Sequence, residues 1–172
     1  MNDPYKSGHS EKVSQLSELI ALKMDLTEEE RSLLVIGALL HDIGKLLLPA
    51  DLWCIPQKID QDEKKMVKKH SLIGAHLLKQ SGFELQIVRI VKYHHESWDG
   101  SGYPEQLSGE EIPLMARIVG LSEAYISMIS YDIYSGKMEK QEAVNQIQSL
   151  RGKQFAPQIV DVFQEVVQGI EV

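Results

Sequence analysis

The sequence predicts an all-α fold, a single-domain helical bundle that spans residues 1–172. Apolar residues recur along the chain at helical spacing, and no alternating run is long enough to indicate a sheet. Short connections with cap and turn residues separate the periodic segments. The length suits one good core. We therefore expect the bundle core over about 7–130 and two C-terminal amphipathic helices over about 139–150 and 157–168.

The composition excludes several classes of function. A net charge of −7 is opposite to the basic surface that broad nucleic-acid binding requires, but it permits a local basic pocket for a small anionic ligand. No apolar run approaches the ~20 residues of a membrane span, and residues 1–4 lack a signal sequence. We therefore expect a cytoplasmic protein without a membrane partner. The single cysteine, Cys54, has no partner for a disulfide or a thiolate metal site.

The first two helices are predicted from their caps. Helix one is expected to run from about Ser7, its N-cap, to Met24, with His9 in the first turn. Helix two is expected to follow Thr27, because Thr27 and Glu30 have the spacing of a capping box.

The second helix ends in an apolar segment that leaves His41 and Asp42 in or beside the core. The apolar residues at helical spacing are Leu33, Leu34, Ile36, Leu40 and Ile43. Gly44 is expected to end the helix in the left-handed conformation. A buried carboxylate is costly unless it is paired, hydrogen-bonded or bound to a metal. Asp42 therefore belongs either to a satisfied His/Asp pair, which is common in structural networks, or to a metal site.

The third helix follows a predicted loop over 46–59 that contains two prolines. Asp60 and Glu63 have the spacing of a cap, and His70 lies on the apolar stripe of the helix that they begin. The apolar residues of that stripe are Met66, Ile73 and Leu77. We therefore expect His70 to point inward.

Two more helices carry polar residues toward the core. Helix four follows Gly82 and ends at His94 and His95. Helix five begins at Pro113 and places Glu123 on an apolar face. The other residues of that face are Ala116, Val119 and Ile126. Glu123 is therefore a second carboxylate beside the core.

These polar residues form a candidate metal centre. The candidate ligands are His9, His41, Asp42, His70, His94, His95 and Glu123, and His76 lacks a similar context. The set is large enough for two divalent ions, and its nitrogen and oxygen donors favour iron or manganese, with zinc or nickel as alternatives. Two such ions suit phosphoester hydrolysis. Each histidine taken alone also fits a role in the core or in a cap.

Four segments of the chain form one recognisable pattern. They are 8–13 (GHSEKV), 41–45 (HDIGK), 94–104 (HHESWDGSGYP) and 107–118 (LSGEEIPLMARI), with a weak continuation at 154–157. The pattern resembles the HD-GYP domains, a bacterial subgroup of the HD superfamily of metal-dependent phosphohydrolases. The resemblance implies an all-helical bundle of the HD phosphodiesterase type that binds two or three metals, usually iron or manganese. It also implies hydrolysis of cyclic dinucleotides, chiefly cyclic di-GMP.

The resemblance assigns roles to particular residues. It implies that one metal is held by His41, Asp42 and Glu123, with His9 nearby. Asp42 would bridge to a second ion that is held by His70, His94 and His95. The implied substrate-binding residues are Lys45, Gly102, Tyr103, Pro104 and Arg117. Asp42 and Lys45 are the implied catalytic residues.

The chain departs from the family pattern at several positions. Tyr5 replaces a glutamate of trinuclear members, which favours two metals, and Glu123 replaces an aspartate. Asp132 and Ser135 replace basic residues that bind phosphate. We expect no receiver or sensor domain beside the module, and therefore control by a signalling protein partner or by the ligand.

Three functions follow from these features. The leading hypothesis is a phosphohydrolase with a dinuclear centre that acts on a cyclic dinucleotide or a related phosphodiester. A degenerate module that binds metal, nucleotide or a protein partner without efficient turnover is the main alternative. A phosphohydrolase for a smaller nucleotide is the third.

Overall fold

The computed structural model describes residues 8–49, 52, 60–130 and 138–169, and the chain there folds into a bundle of helices. The α-helices are α1 (His9–Lys23), α2 (Glu28–Leu40), α3 (Gln61–Lys68), α4 (His70–Gln80), α5 (Leu85–Tyr93), α6 (Leu114–Ile129), α7 (Lys140–Ser149) and α8 (Pro157–Gly169). Short 3₁₀ helices lie at Ile43–Leu47 and Gly109–Glu111. The β-bridges of these described ranges are two isolated pairs, so the predicted all-α fold is confirmed. No described helix is both long enough and apolar enough to cross a membrane.

Two apolar clusters hold the bundle together. The larger one joins α1, α2, α6, α7 and α8, and its fully buried side chains include Ile20, Leu34 and Phe163. The smaller one joins α2, α4 and α5 through side chains such as Leu33 and Leu78. Helix α2 contributes to both clusters and packs against α5 and α6, and the turn that follows it packs on α4.

The predicted caps of α2 and α3 are confirmed. The backbone N–H of Glu30 donates to the Thr27 hydroxyl at 3.3 Å, and the Thr27 N–H donates to the Glu30 carboxylate at 2.8 Å. Asp60 and Glu63 form the same reciprocal pair at the start of α3. Each box satisfies N–H groups that have no partner within the helix.

The start of α1 differs from the prediction. The helix begins at His9, and its N-cap is Gly8 in the left-handed conformation, without a side-chain cap. Ser7 and Cys54 lie outside the described residues. Glycine adopts a positive φ at little cost, so the backbone of Gly8 sets the direction in which the chain enters α1.

The predicted role of Gly44 as a left-handed helix end is wrong. Gly44 lies inside the 3₁₀ helix that follows α2, and its φ is not positive. Its lack of a side chain lets the backbone of Gly44 lie close to the backbone of α4. A Cβ at this position would lie 2.0 Å from the carbonyl oxygen of His70 and 2.6 Å from the nitrogen of Gly74. The turn after α2 therefore packs directly on the start of α4.

The predicted third helix is in fact two helices. The structure ends α3 at Lys68 and begins α4 at His70. His70 is buried as expected, but Met66 is 40% exposed, because the break turns α3 away from the core. Helices α5 to α8 begin and end within a few residues of the predicted positions.

Candidate metal centre

The structure brings the seven predicted ligands into two adjacent sets. The first set is His9, His41, Asp42 and Glu123, and the second is His70, His94 and His95. Within each set, the candidate ligand atoms lie within 4.8 Å of one another. The ring centroids of His41 and His94, one from each set, are 5.3 Å apart. His76 is exposed on α4 and belongs to neither set.

Asp42 belongs to the first set, but its carboxylate also faces the second set. Its Oδ2 atom is 3.4 Å from Nε2 of His41, and its Oδ1 atom is 3.4 Å from Nε2 of His70. The ammonium group of Lys45 is 2.5 Å from Oδ2. Burial alone would raise the pKa of Asp42, but the neighbouring ring of His41 and the charge of Lys45 hold it well below its usual value. Asp42 is therefore ionised and faces both sets.

Three histidines are oriented by carbonyl groups of the preceding helical turn. Each donates its Nδ1 hydrogen to the carbonyl three residues earlier, so the neutral ring carries its lone pair on Nε2. The distances are 2.6 Å from His41 to Ala38, 2.8 Å from His70 to Val67, and 2.8 Å from His94 to Val91. All three Nε2 atoms therefore point toward the carboxylates and toward one another.

The protonation of the histidines also suits metal binding. Burial lowers the pKa of His94 well below its usual value and that of His95 to about 3, and it also lowers the pKa of His9 and His70. Burial acts in the same direction on His41, but the neighbouring carboxylate of Asp42 raises the pKa of that ring. Four of the five rings are therefore held neutral, which is the form that binds metal.

Two buried atoms of the centre lack a hydrogen bond. They are Nε2 of His41 and Oδ1 of Asp42, for which no hydrogen-bond partner exists within the described ranges. A buried polar atom without a partner costs about 1–3 kcal/mol. An ion at each set would give these two atoms a partner, so the residues fit the metals that the sequence predicts.

Glu123 faces both sets from α6. Its carboxylate oxygens lie 4.0 Å from Nε2 of His41, 3.9 Å from Nε2 of His94 and 3.8 Å from Nδ1 of His95. Gly120, one turn earlier, permits this approach, because a Cβ there would lie 2.4 Å from the carbonyl oxygen of His94. The close packing of α6 against the end of α5 therefore brings Glu123 within reach of the histidines.

A cavity of about 360 Å³ lies beside the centre. Its lining includes His94, His95, Gly102, Tyr103, Arg117 and Glu123. The ring of Tyr103 stacks on His95 with 4.8 Å between centroids, so residues 102–103 form a wall of this cavity, while their contact with substrate stays a prediction. Pro104 and Lys45 are not among the lining residues. Their predicted contact with substrate stays a prediction.

Arg117 lines the cavity but packs on an aromatic ring. The guanidinium carbon lies 5.5 Å from the centroid of the Trp98 ring. Its Nε and Nη1 atoms are buried and have no acceptor among residues that the structure describes. Burial lowers the pKa of Arg117 from its usual value.

The sequence prediction missed the role of Glu96. This buried carboxylate accepts the backbone N–H groups of Glu105, at 2.7 Å, and of Leu107, at 3.1 Å. It thereby fixes the loop that carries Tyr103 against His95. The sequence carries one signal for this role: Glu96 is an acidic residue that directly follows a buried helix end and precedes a glycine-rich turn. Tyr5, Asp132 and Ser135 lie outside the described residues.

Comparison with known proteins identifies the family. A family model described as HD domain matches residues 1–159.

The chain belongs to the HD-domain family.

Relatives of this HD domain show its closer affinities. A cyclic di-GMP phosphodiesterase of Thermotoga maritima is 36% identical over 157 residues, covering 90% of this chain and 43% of that protein. A 3'3'-cGAMP-specific phosphodiesterase 2 of Vibrio cholerae is 30% identical over 159 residues, covering 91% of this chain and 30% of that protein. The solved structure of Bd1817, an HDG"Y"P protein from Bdellovibrio bacteriovorus, matches with a TM-score of 0.79 and 25% identity. That match covers 97% of this chain and 54% of the other.

These matches confirm the predicted HD-GYP resemblance. The chain spans less than half of the length of either curated relative.

Proposed function

We propose that this HD domain hydrolyses a phosphodiester bond of a cyclic dinucleotide at a centre of two divalent metal ions. The family membership and the phosphodiesterase names of the relatives support the reaction class. Cyclic di-GMP is the first candidate substrate, and 3'3'-cGAMP is the second. The donor set of nitrogen and oxygen without sulfur favours iron, with manganese as the alternative.

The position of Asp42 is the observation that carries this proposal. One of its oxygens lies against His41 of the first set, and the other lies against His70 of the second. A carboxylate in this position suits a bridge between two ions, whereas a simple His/Asp pair would need only one partner. The first ion would be held by His9, His41, Asp42 and Glu123, and the second by His70, His94, His95 and Asp42.

Bound ions would supply Lewis acidity and an activated water for attack on phosphorus. The protein would supply orientation and charge balance. The Nδ1 hydrogen bonds hold the rings of His41, His70 and His94 in place before any ion binds. His41 and Lys45 together keep Asp42 ionised, and Tyr103 covers the side of the centre formed by His95.

The test combines metal analysis with an assay of hydrolysis. The protein is purified without oxygen, its iron, manganese, zinc and nickel are measured, and cyclic di-GMP and 3'3'-cGAMP are then offered as substrates. We expect about two ions per chain and conversion of at least one cyclic dinucleotide to its linear product. A chain that carries two ions but hydrolyses neither substrate would refute the proposed activity.

A binding module without turnover is the second candidate. It is favoured by Asp132 and Ser135, which the resemblance to the HD-GYP domains places where basic residues would bind phosphate. In that case, calorimetry would detect binding of a cyclic dinucleotide to the metal-loaded protein, but no product would form.

A further inference from the structure

Lys68 lies beside the candidate metal centre, between Val67 and the start of α4. It is the last residue of α3, and the carbonyl of Val67 accepts the Nδ1 hydrogen of His70 at 2.8 Å. Its side chain lines the same cavity as His94 and His95.

The ammonium group of Lys68 lies close to the aromatic wall of the cavity. Its Nζ atom is 4.9 Å from the centroid of the Tyr103 ring, and that ring stacks on His95. The cation is thus placed near the centre but outside the two sets of ligands. This position suits contact with a part of the proposed cyclic dinucleotide substrate that does not react at the metals.

Lys68 differs from the other cations near the centre. Lys45 is bound to Asp42 and does not line the cavity. Arg117 lines it, but two of its nitrogens are buried where the guanidinium packs on Trp98. Lys68 is exposed, and no carboxylate of the described segments lies within ion-pair distance of it.

A cyclic dinucleotide needs a cation at this kind of position. It has two phosphates, so one remains away from the metals when the other reacts. The chain has a net charge of −7, which opposes binding of an anion unless a local cation offsets it. Lysine binds phosphate well as a point charge.

We propose that Lys68 binds the non-reacting phosphate of a cyclic dinucleotide and thereby favours ligands with two phosphates. The proposal rests on the proposed function for its ligand class, but it concerns binding and does not require turnover.

The test compares three variants with the unchanged protein, all loaded with metal. Lys68→Gln removes the charge, and Lys68→Arg keeps it. Lys64→Gln is the matched control, because Lys64 is exposed one turn earlier on α3 and does not line the cavity. Each protein is assayed with two substrates. Cyclic di-GMP contains two phosphates, and bis(p-nitrophenyl) phosphate contains one. Calorimetry with cyclic di-GMP gives the affinity whether or not hydrolysis occurs.

We expect Lys68→Gln to weaken binding of cyclic di-GMP about tenfold, because one exposed charge-assisted hydrogen bond is lost. The kcat for cyclic di-GMP and the kcat/KM for the nitrophenyl ester should stay within about twofold. Lys68→Arg should restore most of the affinity, and Lys64→Gln should change neither.

Two results would overturn the role of Lys68. One is unchanged affinity for cyclic di-GMP in Lys68→Gln. The other is an equal loss with both substrates, which would indicate damage to the centre itself. If the unchanged protein binds cyclic di-GMP but does not hydrolyse it, the proposed function fails, whereas a tenfold loss of binding in Lys68→Gln still supports the inference.

Discussion

Replacement of Asp42 by asparagine tests the two-metal centre most directly. The variant keeps the shape of the side chain, but one of its two oxygens becomes an NH₂ group that cannot bind a metal. Each oxygen of Asp42 faces one set of ligands at 3.4 Å, so at least one set loses a ligand atom whichever way the amide turns. Removing a mere outer partner of a metal ligand already costs about 10–100-fold in affinity. Loss of a ligand atom should therefore cost at least about 100-fold, or about 3 kcal/mol.

The assay for Asp42→Asn is elemental analysis after purification without oxygen, followed by titration of the metal-free protein with Mn²⁺. We expect the metal content to fall from about two ions per chain to one or fewer, and hydrolysis of any phosphodiester to be lost. His76→Asn is the control, because His76 is exposed on α4 and belongs to neither set. If Asp42→Asn keeps two ions with unchanged affinity, Asp42 does not bridge the two sets.

Three further predictions concern packing, pH and charge. Gly120→Ala should lower the free energy of unfolding by about 1–3 kcal/mol and reduce metal content, because its Cβ would lie 2.4 Å from the carbonyl of His94; urea denaturation and metal analysis measure both. The metal-free protein should lose stability as the pH falls from 6.5 to 5. His95 alone should contribute about 2 kcal/mol of this loss, because its ring takes up a proton in the unfolded chain but not in the folded protein, where its pKa is about 3. His95→Gln should flatten that dependence in urea titrations. Asp132→Arg combined with Ser135→Arg should tighten binding of cyclic di-GMP by about 100-fold in calorimetry and leave kcat/KM for bis(p-nitrophenyl) phosphate unchanged.

Much of the fold was predictable because its signals are local. The capping box of Thr27 and Glu30 involves residues three apart, so the sequence alone indicates where α2 begins. Helical periodicity placed His70 and Glu123 toward the interior, and both lie at the centre. The polar residues stood out because an apolar stripe that contains a histidine or a carboxylate needs a partner for it.

The features that sequence reasoning missed depend on contacts between distant segments. The residues from Lys68 to His70 contain no glycine or proline, so nothing local indicates the break between α3 and α4. Gly44 looked like a helix end, but its role is to let the turn after α2 touch the backbone of α4. The role of Glu96 likewise requires the loop that reaches Leu107 to fold back over it.

The break between α3 and α4 solves the same chemical problem as the ends of α2 and α5. The last carbonyl groups of a helix have no intrahelical partner. At all three places, a histidine just past such a turn donates Nδ1 to one of these carbonyls and leaves Nε2 directed into the centre. The break between α3 and α4 therefore adds a third pre-oriented imidazole to the two at the ends of α2 and α5.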